Sequence, residues 1–127
     1  MESAVVSLPA FRLEVARRVT LDSSWKGEGY LDHSYRLYLI ESGEAFMSFH
    51  SEKLHLTPGY LYFIPAGIPL DYHCPKNAVQ WYLHFREEHP GTLPLHVLYP
   101  FVHQVRLPDS RMVEGHLEYL IQEYGEH

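Results

Sequence analysis

The sequence predicts an all-β barrel or sandwich closed by one C-terminal α-helix. Three observations predict it. Apolar and aromatic residues fall into short runs that alternate at period 2 or are apolar throughout. Glycine and proline punctuate the runs at nearly every joint. The period changes to that of a helix only in the last segment. At 127 residues the chain is sized for one core, so residues 1–127 are read as a single domain, barrel about 10–107 and helix about 110–124.

In order along the chain, Phe11–Val15 alternates as a half-buried strand. Trp25 falls in a turn-rich stretch, Ser23–Gly29, and is read as a loop plug or a lid over the barrel mouth. Tyr35–Ile40 is the next run, stopped at Ser42-Gly43, where glycine admits a positive φ. Ala45–His50 resumes the strand, with Phe46, Ser48 and His50 on one face and Met47 and Phe49 on the other. This pair of runs reads as a hairpin. Lys53–Leu56 alternates again, and Tyr60–Ile64 is an apolar-aromatic strand between Thr57-Pro58-Gly59 and Pro65-Ala66-Gly67. Proline lacks the ladder donor and belongs at strand ends. Val79–Arg86 sets Trp81, Leu83 and Phe85 against Gln80, Tyr82 and His84. A loop from His89-Pro90-Gly91 leads to β-like pieces near Leu95–Tyr99 and Val102–Leu107. Asp109 or Ser110 caps the helix, whose buried face carries Val113, Leu117, Leu120, Ile121 and Tyr124, and Gly125 suits its C-terminal stop.

Composition excludes several function classes. A net charge of −6 does not give the basic footprint that gripping DNA requires. One cysteine, Cys74, excludes a disulfide framework and a cysteine zinc knuckle. No apolar run approaches the ~20 residues that span a bilayer, and Met1–Ala10 lacks a signal-peptide pattern, so no membrane partner and a cytoplasmic location are expected. The surplus residues are 10 Tyr and 10 His. Both present an apolar body with a polar tip, which suits a pocket that must hydrogen-bond a small ligand.

The spacing Pro58-Gly59-x5-Pro65-x-Gly67 resembles the second conserved motif of cupins, the double-stranded β-helix (jelly-roll) barrels. With Leu37–Glu44 before it and Trp81-Tyr82-Leu83-His84-Phe85 after it, residues 30–86 are similar to the N-terminal sensor domain of AraC/XylS-type bacterial transcriptional regulators. The resemblance implies a barrel that binds a small effector such as a sugar. It also implies a pairing helix and a DNA-binding helix-turn-helix domain beyond His127. DNA would then be met only through that second domain, and the barrel itself would be a binding module and no enzyme. The alternative is a stand-alone cupin enzyme with a divergent metal site.

The resemblance places ligand contacts at Tyr72, Gln80 and Tyr82. Gln80, Tyr82 and His84 share one strand face whose mixture of rings and polar tips suits a polyol. Trp81, Leu83 and Phe85 would then pack on the helix. Arg36, beside His33 at the entry to the first barrel strand, would pair a carboxylate or sugar hydroxyls if it faces inward. Met1–Pro9 would form an arm over the ligand, as in some members of the family. Metal-binding cupins carry His-x-His and a Glu on one strand and a further His after the second motif. Here the strand reads Glu44–His50 without His-x-His, and Leu70 stands at the later position. No metal, cofactor or catalytic residue is expected. His73 has the wrong parity to replace Leu70 without a bulge. Edge-strand pairing into a homodimer is expected of such barrels.

Overall fold

The computed structural model describes residues 11–88 and 102–124. Two antiparallel sheets face one another. The first has the order β1 (Phe11–Asp22), β8 (Asn77–Glu87), β3 (Tyr35–Gly43), β6 (Tyr60–Ile64), β9 (Gln104–Arg106). The second runs β2 (Lys26–Tyr30), β7 (Leu70–His73), β4 (Ala45–Phe49), β5 (Glu52–Leu56). From β2 onward the chain crosses repeatedly between the sheets, which is the double-stranded β-helix topology. The helix α1 (Arg111–Tyr124) lies against the outer face of the first sheet.

Alternation decides what each sheet face does. Inward side chains of both sheets, among them Tyr38, Ile40, Met47, Phe49, Leu56, Tyr62, Ile64 and Leu70, form the barrel core. Outward residues of the first sheet, Ala16, Leu39, Trp81 and Leu83, form a second core with Leu117 of α1. Fully burying a side chain such as Leu or Phe stabilises by about 1.5–3 kcal/mol. The barrel therefore has two apolar layers, and the helix covers the one that solvent would otherwise meet.

The corners are held by specific bonds. Gly43 has φ +79° and a Cβ there would lie 2.3 Å from the Asn77 carbonyl oxygen, so only glycine fits where β3 leaves β8. At the Thr57-Pro58-Gly59 corner the buried Tyr62 hydroxyl accepts from the Thr57 N–H at 2.9 Å and donates to the His55 carbonyl at 3.0 Å. Strand β6 then spans Tyr60–Ile64 between the two Pro/Gly corners, with the bounds the sequence suggests. Ser110 offers its carbonyl to the Glu114 N–H, while the Asp109 carboxylate accepts from the Arg111 N–H, so the two share the helix cap.

Four readings of the sequence need correction. The runs 35–40 and 45–50 are not a hairpin: β3 pairs with β6 and β8, whereas β4 pairs with β5 and β7. The residue between them carries the chain from one sheet to the other, a step that a local turn signal does not distinguish from a hairpin. Ser23–Gly29 is not turn throughout, because Lys26–Tyr30 forms the edge strand β2 against β7. The first strand runs on to Asp22, sustained by an eleven-pair ladder with β8 that a bulge at Leu13/Val15 interrupts. Tyr124 is 63% exposed and does not belong to the buried face of the helix. The Met1–Pro9 arm, the 89–91 loop, the 95–99 piece and Gly125 lie outside the described residues.

Candidate ligand site in the barrel lumen

Strand β8 sits between β1 and β3, and its parity builds the site. Gln80, Tyr82 and His84 point into the barrel, while Trp81 and Leu83 pack toward α1. On β3 the same face brings Tyr38 opposite Tyr82 and Arg36 opposite His84. Tyr72 enters from β7 in the facing sheet. A half-open cavity of about 280 Å³ lies there, lined by Arg36, Tyr72, Gln80, Tyr82 and His84 together with Val19, Leu21, Trp25, Tyr30 and Tyr38. All five candidate residues border one space. The sequence reading missed Val19, Leu21, Tyr30 and Tyr38, although Tyr38 shares the β3 parity of Arg36 and was findable from it.

One wall is aromatic. Trp25 and Tyr72 lie with ring centroids 4.5 Å apart, and Tyr30 meets Tyr72 edge-on at 5.9 Å. Trp25 is packed into the wall beside the cavity, and its backbone is held by the bond from the Cys74 N–H to its carbonyl. Gly27 stands opposite Tyr72 in the ladder, and a Cβ at that position would meet the Tyr72 ring at 2.7 Å. The missing side chain lets the ring lie flat over β2. Tyr82 continues the wall, 5.1 Å from His84 and 6.3 Å from Tyr38.

The other wall is polar. Arg36 is 4% exposed, its Nη1 donates to the Tyr38 hydroxyl at 3.2 Å, and its guanidinium lies 5.3 Å from the Tyr30 ring centroid. Its Nη2 stands 3.9 Å from Asp32 Oδ2. Among the described residues two buried side-chain polar atoms have no hydrogen-bond partner, Arg36 Nε and Gln80 Oε1. Such an atom costs about 1–3 kcal/mol when left unsatisfied. Burial, and then the Arg36 charge, push the His84 pKa below its ordinary value against the pull of Asp32 and Glu14. Burial raises the Tyr38 pKa, and Arg36 only partly opposes it. For Asp32, burial acts upward, but the Ser34 N–H and the charges of Arg36 and His84 outweigh it and hold the carboxyl below its usual value.

A divalent cation does not fit this donor set. The lumen offers one imidazole beside a buried guanidinium, and among the described residues no group of three His, Cys, Asp or Glu side chains could hold a metal. Leu70 is buried where metal-binding cupins have His, and His73 is on the outer face. His55 and His73 stack on opposite sides of Phe46, with centroids 4.4 and 5.0 Å away, so the ring between them prevents joint ligation. His55 Nε2 instead pairs with Glu44 at 2.8 Å. Cys74 is buried, its thiol 3.5 Å from the Glu44 carbonyl. Among the described residues no helix is long and apolar enough to cross a membrane.

No family model matches the chain, and no curated protein matches it in sequence. Its backbone, however, is similar to solved structures. A glyoxylate-induced protein from Pseudomonas aeruginosa aligns with a TM-score of 0.54 at 13% identity, over 80% of this chain and 45% of that one. The Escherichia coli ribosomal oxygenase YcfD aligns at 0.51 and 17% identity, over 91% of this chain and 30% of that one. The Clostridium difficile EutQ protein aligns at 0.50 and 12% identity, over 64% of this chain and 71% of that one. The chain thus spans less than half of the first two. Identities this low speak for the fold alone. Residues 11–88 and 102–124 form a cupin double-stranded β-helix with one helix packed on its outer face.

Proposed function

We propose that the barrel lumen binds a small hydroxylated metabolite of monosaccharide size, and that the domain is the effector-sensing part of an AraC-type transcription regulator. The observation that carries the reading is the pair of unpartnered polar atoms, Arg36 Nε and Gln80 Oε1, on residues that line one cavity. Both atoms are closed to solvent, and a ligand with donor and acceptor groups would satisfy them once the two side chains turn toward the cavity. At about 280 Å³ the space lies just below the usual span of small-molecule sites, about 300 to 1,000 Å³. Trp25, Tyr72 and Tyr82 offer flat faces to the C–H side of a ring. The regulator assignment rests on the motif resemblance over residues 30–86.

A thermal-shift screen of sugars and small hydroxylated acids tests the reading. A ligand at about 100 times its Kd stabilises by about 2.7 kcal/mol, and Tyr82→Ala should remove the shift. A screen in which no member stabilises the domain would count against lumen binding. The regulator assignment predicts a basic, helical, DNA-binding segment downstream in the reading frame, and a frame ending at His127 would contradict it.

A further inference from the structure

The charge of the ligand is written in how this chain uses its arginines. Arg18 grips Glu41 through Nε at 3.0 Å and Nη2 at 2.6 Å. Arg111 grips Asp109 through the same two nitrogens, at 3.1 and 3.0 Å. In both cases one carboxylate fills the Nε/Nη2 edge of the guanidinium, whose two parallel N–H bonds match its two oxygens. Both of these arginines are exposed.

Arg36 is the buried counterpart, and that edge makes no hydrogen bond. Its Nε has no partner, and its Nη2 reaches only Asp32 Oδ2 at 3.9 Å, too far for a hydrogen bond. Asp32 is committed elsewhere: Oδ1 accepts from the Ser34 N–H at 2.9 Å, and Oδ2 accepts from the Tyr30 hydroxyl at 3.4 Å. Nη1 is already bonded to Tyr38. The Arg36 charge is therefore buried beside the cavity with one loose counter-ion and one unused fork. A buried charge is tolerated when paired and costly when it is not.

We propose that the lumen ligand is a small hydroxylated carboxylic acid, such as a sugar acid, whose carboxylate is received by the Nε/Nη2 edge of Arg36. This rests on the lumen-binding reading and goes further by fixing the charge of the ligand. The hydroxyl groups of the ligand supply the donor that Gln80 Oε1 lacks. Its ring or chain lies against Tyr72 and Tyr82. A neutral sugar would leave the guanidinium charge with only the loose 3.9 Å pairing to Asp32.

Titration calorimetry on the 127-residue chain decides it, with glucuronate, galacturonate and gluconate as probes. Each is measured beside an uncharged counterpart: glucuronamide, galactose and sorbitol. At least one acid should bind about tenfold to a hundredfold tighter than its neutral counterpart. Asp32→Asn removes the competing anion and should tighten the acid severalfold without changing the neutral probe. That variant keeps the test decisive even if Arg36→Met does not fold. Neutral probes binding as tightly as the acids would overturn the charge assignment and leave lumen binding standing. Binding by none of the six, or acid binding undiminished in Tyr82→Ala, would overturn both.

Discussion

Arg36 and His84 are register partners on β3 and β8, so a guanidinium and an imidazole share one wall of the lumen. Burial and the Arg36 charge both disfavour the imidazolium, and only Asp32 and Glu14 pull the other way. The folded His84 pKa is therefore depressed from its ordinary value of about 6.5. Below that value the unfolded chain binds more protons than the folded one. Stability is full above about pH 6.5 and falls as pH drops toward the folded pKa. His84→Asn should flatten the slope of unfolding free energy against pH between about 7 and 5. An unchanged slope would contradict this account. The depressed Asp32 carboxyl acts in a separate window, below its ordinary value of about 3.9.

Gln80→Met should stabilise the ligand-free domain while abolishing its response to ligand. Gln80 is 1% exposed and its Oε1 has no partner. Replacing an unsatisfied amide by a side chain of similar volume should gain about 1 kcal/mol, a few degrees in Tm. Thermal unfolding with and without ligand reads both effects. A lower Tm in the variant would mean that the amide is satisfied in the free protein.

Gly27→Ala should displace the Tyr72 ring and leave the fold intact. The added Cβ would meet only the far end of that side chain, which can move. We expect a stability loss of about 1 kcal/mol or less, with ligand affinity falling about tenfold as the aromatic wall opens. Denaturant unfolding and a ligand titration separate the two.

Gly43→Ala should behave differently. Its Cβ would strike the Asn77 carbonyl at 2.3 Å, on backbone, with φ at +79°. The cost should be about 3 kcal/mol or more. Gly115, inside α1 with nothing within 4 Å of an added Cβ, provides the contrast. Gly115→Ala should gain about 0.5–1 kcal/mol. Denaturant midpoints check both signs.

The legible parts of this fold are those where burial is written in the residue types. The alternation of β8, Trp81/Leu83/Phe85 against Gln80/Tyr82/His84, separates the helix-facing side from the lumen because one set is apolar and the other amphipathic. Strand β2 was not legible, since Lys26-Gly27-Glu28-Gly29-Tyr30 has no apolar alternation and is held as an edge by its pairing with β7. Nor was the partner of β4 legible, because a sharp turn fixes chain direction but not the sheet that the next strand joins. Among site residues, Arg36 is a typical surface residue by type. Its burial follows from a β3 parity shared with Tyr38 and from Tyr30 covering it, a contact made across a strand that the sequence did not announce.

Ligand binding in the lumen is the central claim, and Trp25 reports on it directly. The chain has two tryptophans. Trp25 lines the cavity, while Trp81 lies on the opposite sheet face beneath α1 and donates to Glu41 at 3.1 Å. In a Trp81→Phe variant, Trp25 emission should change saturably as an acid that binds is titrated in, and Tyr82→Ala should abolish the change. Calorimetric binding with Trp25 emission unmoved would place the ligand outside the lumen and contradict the account.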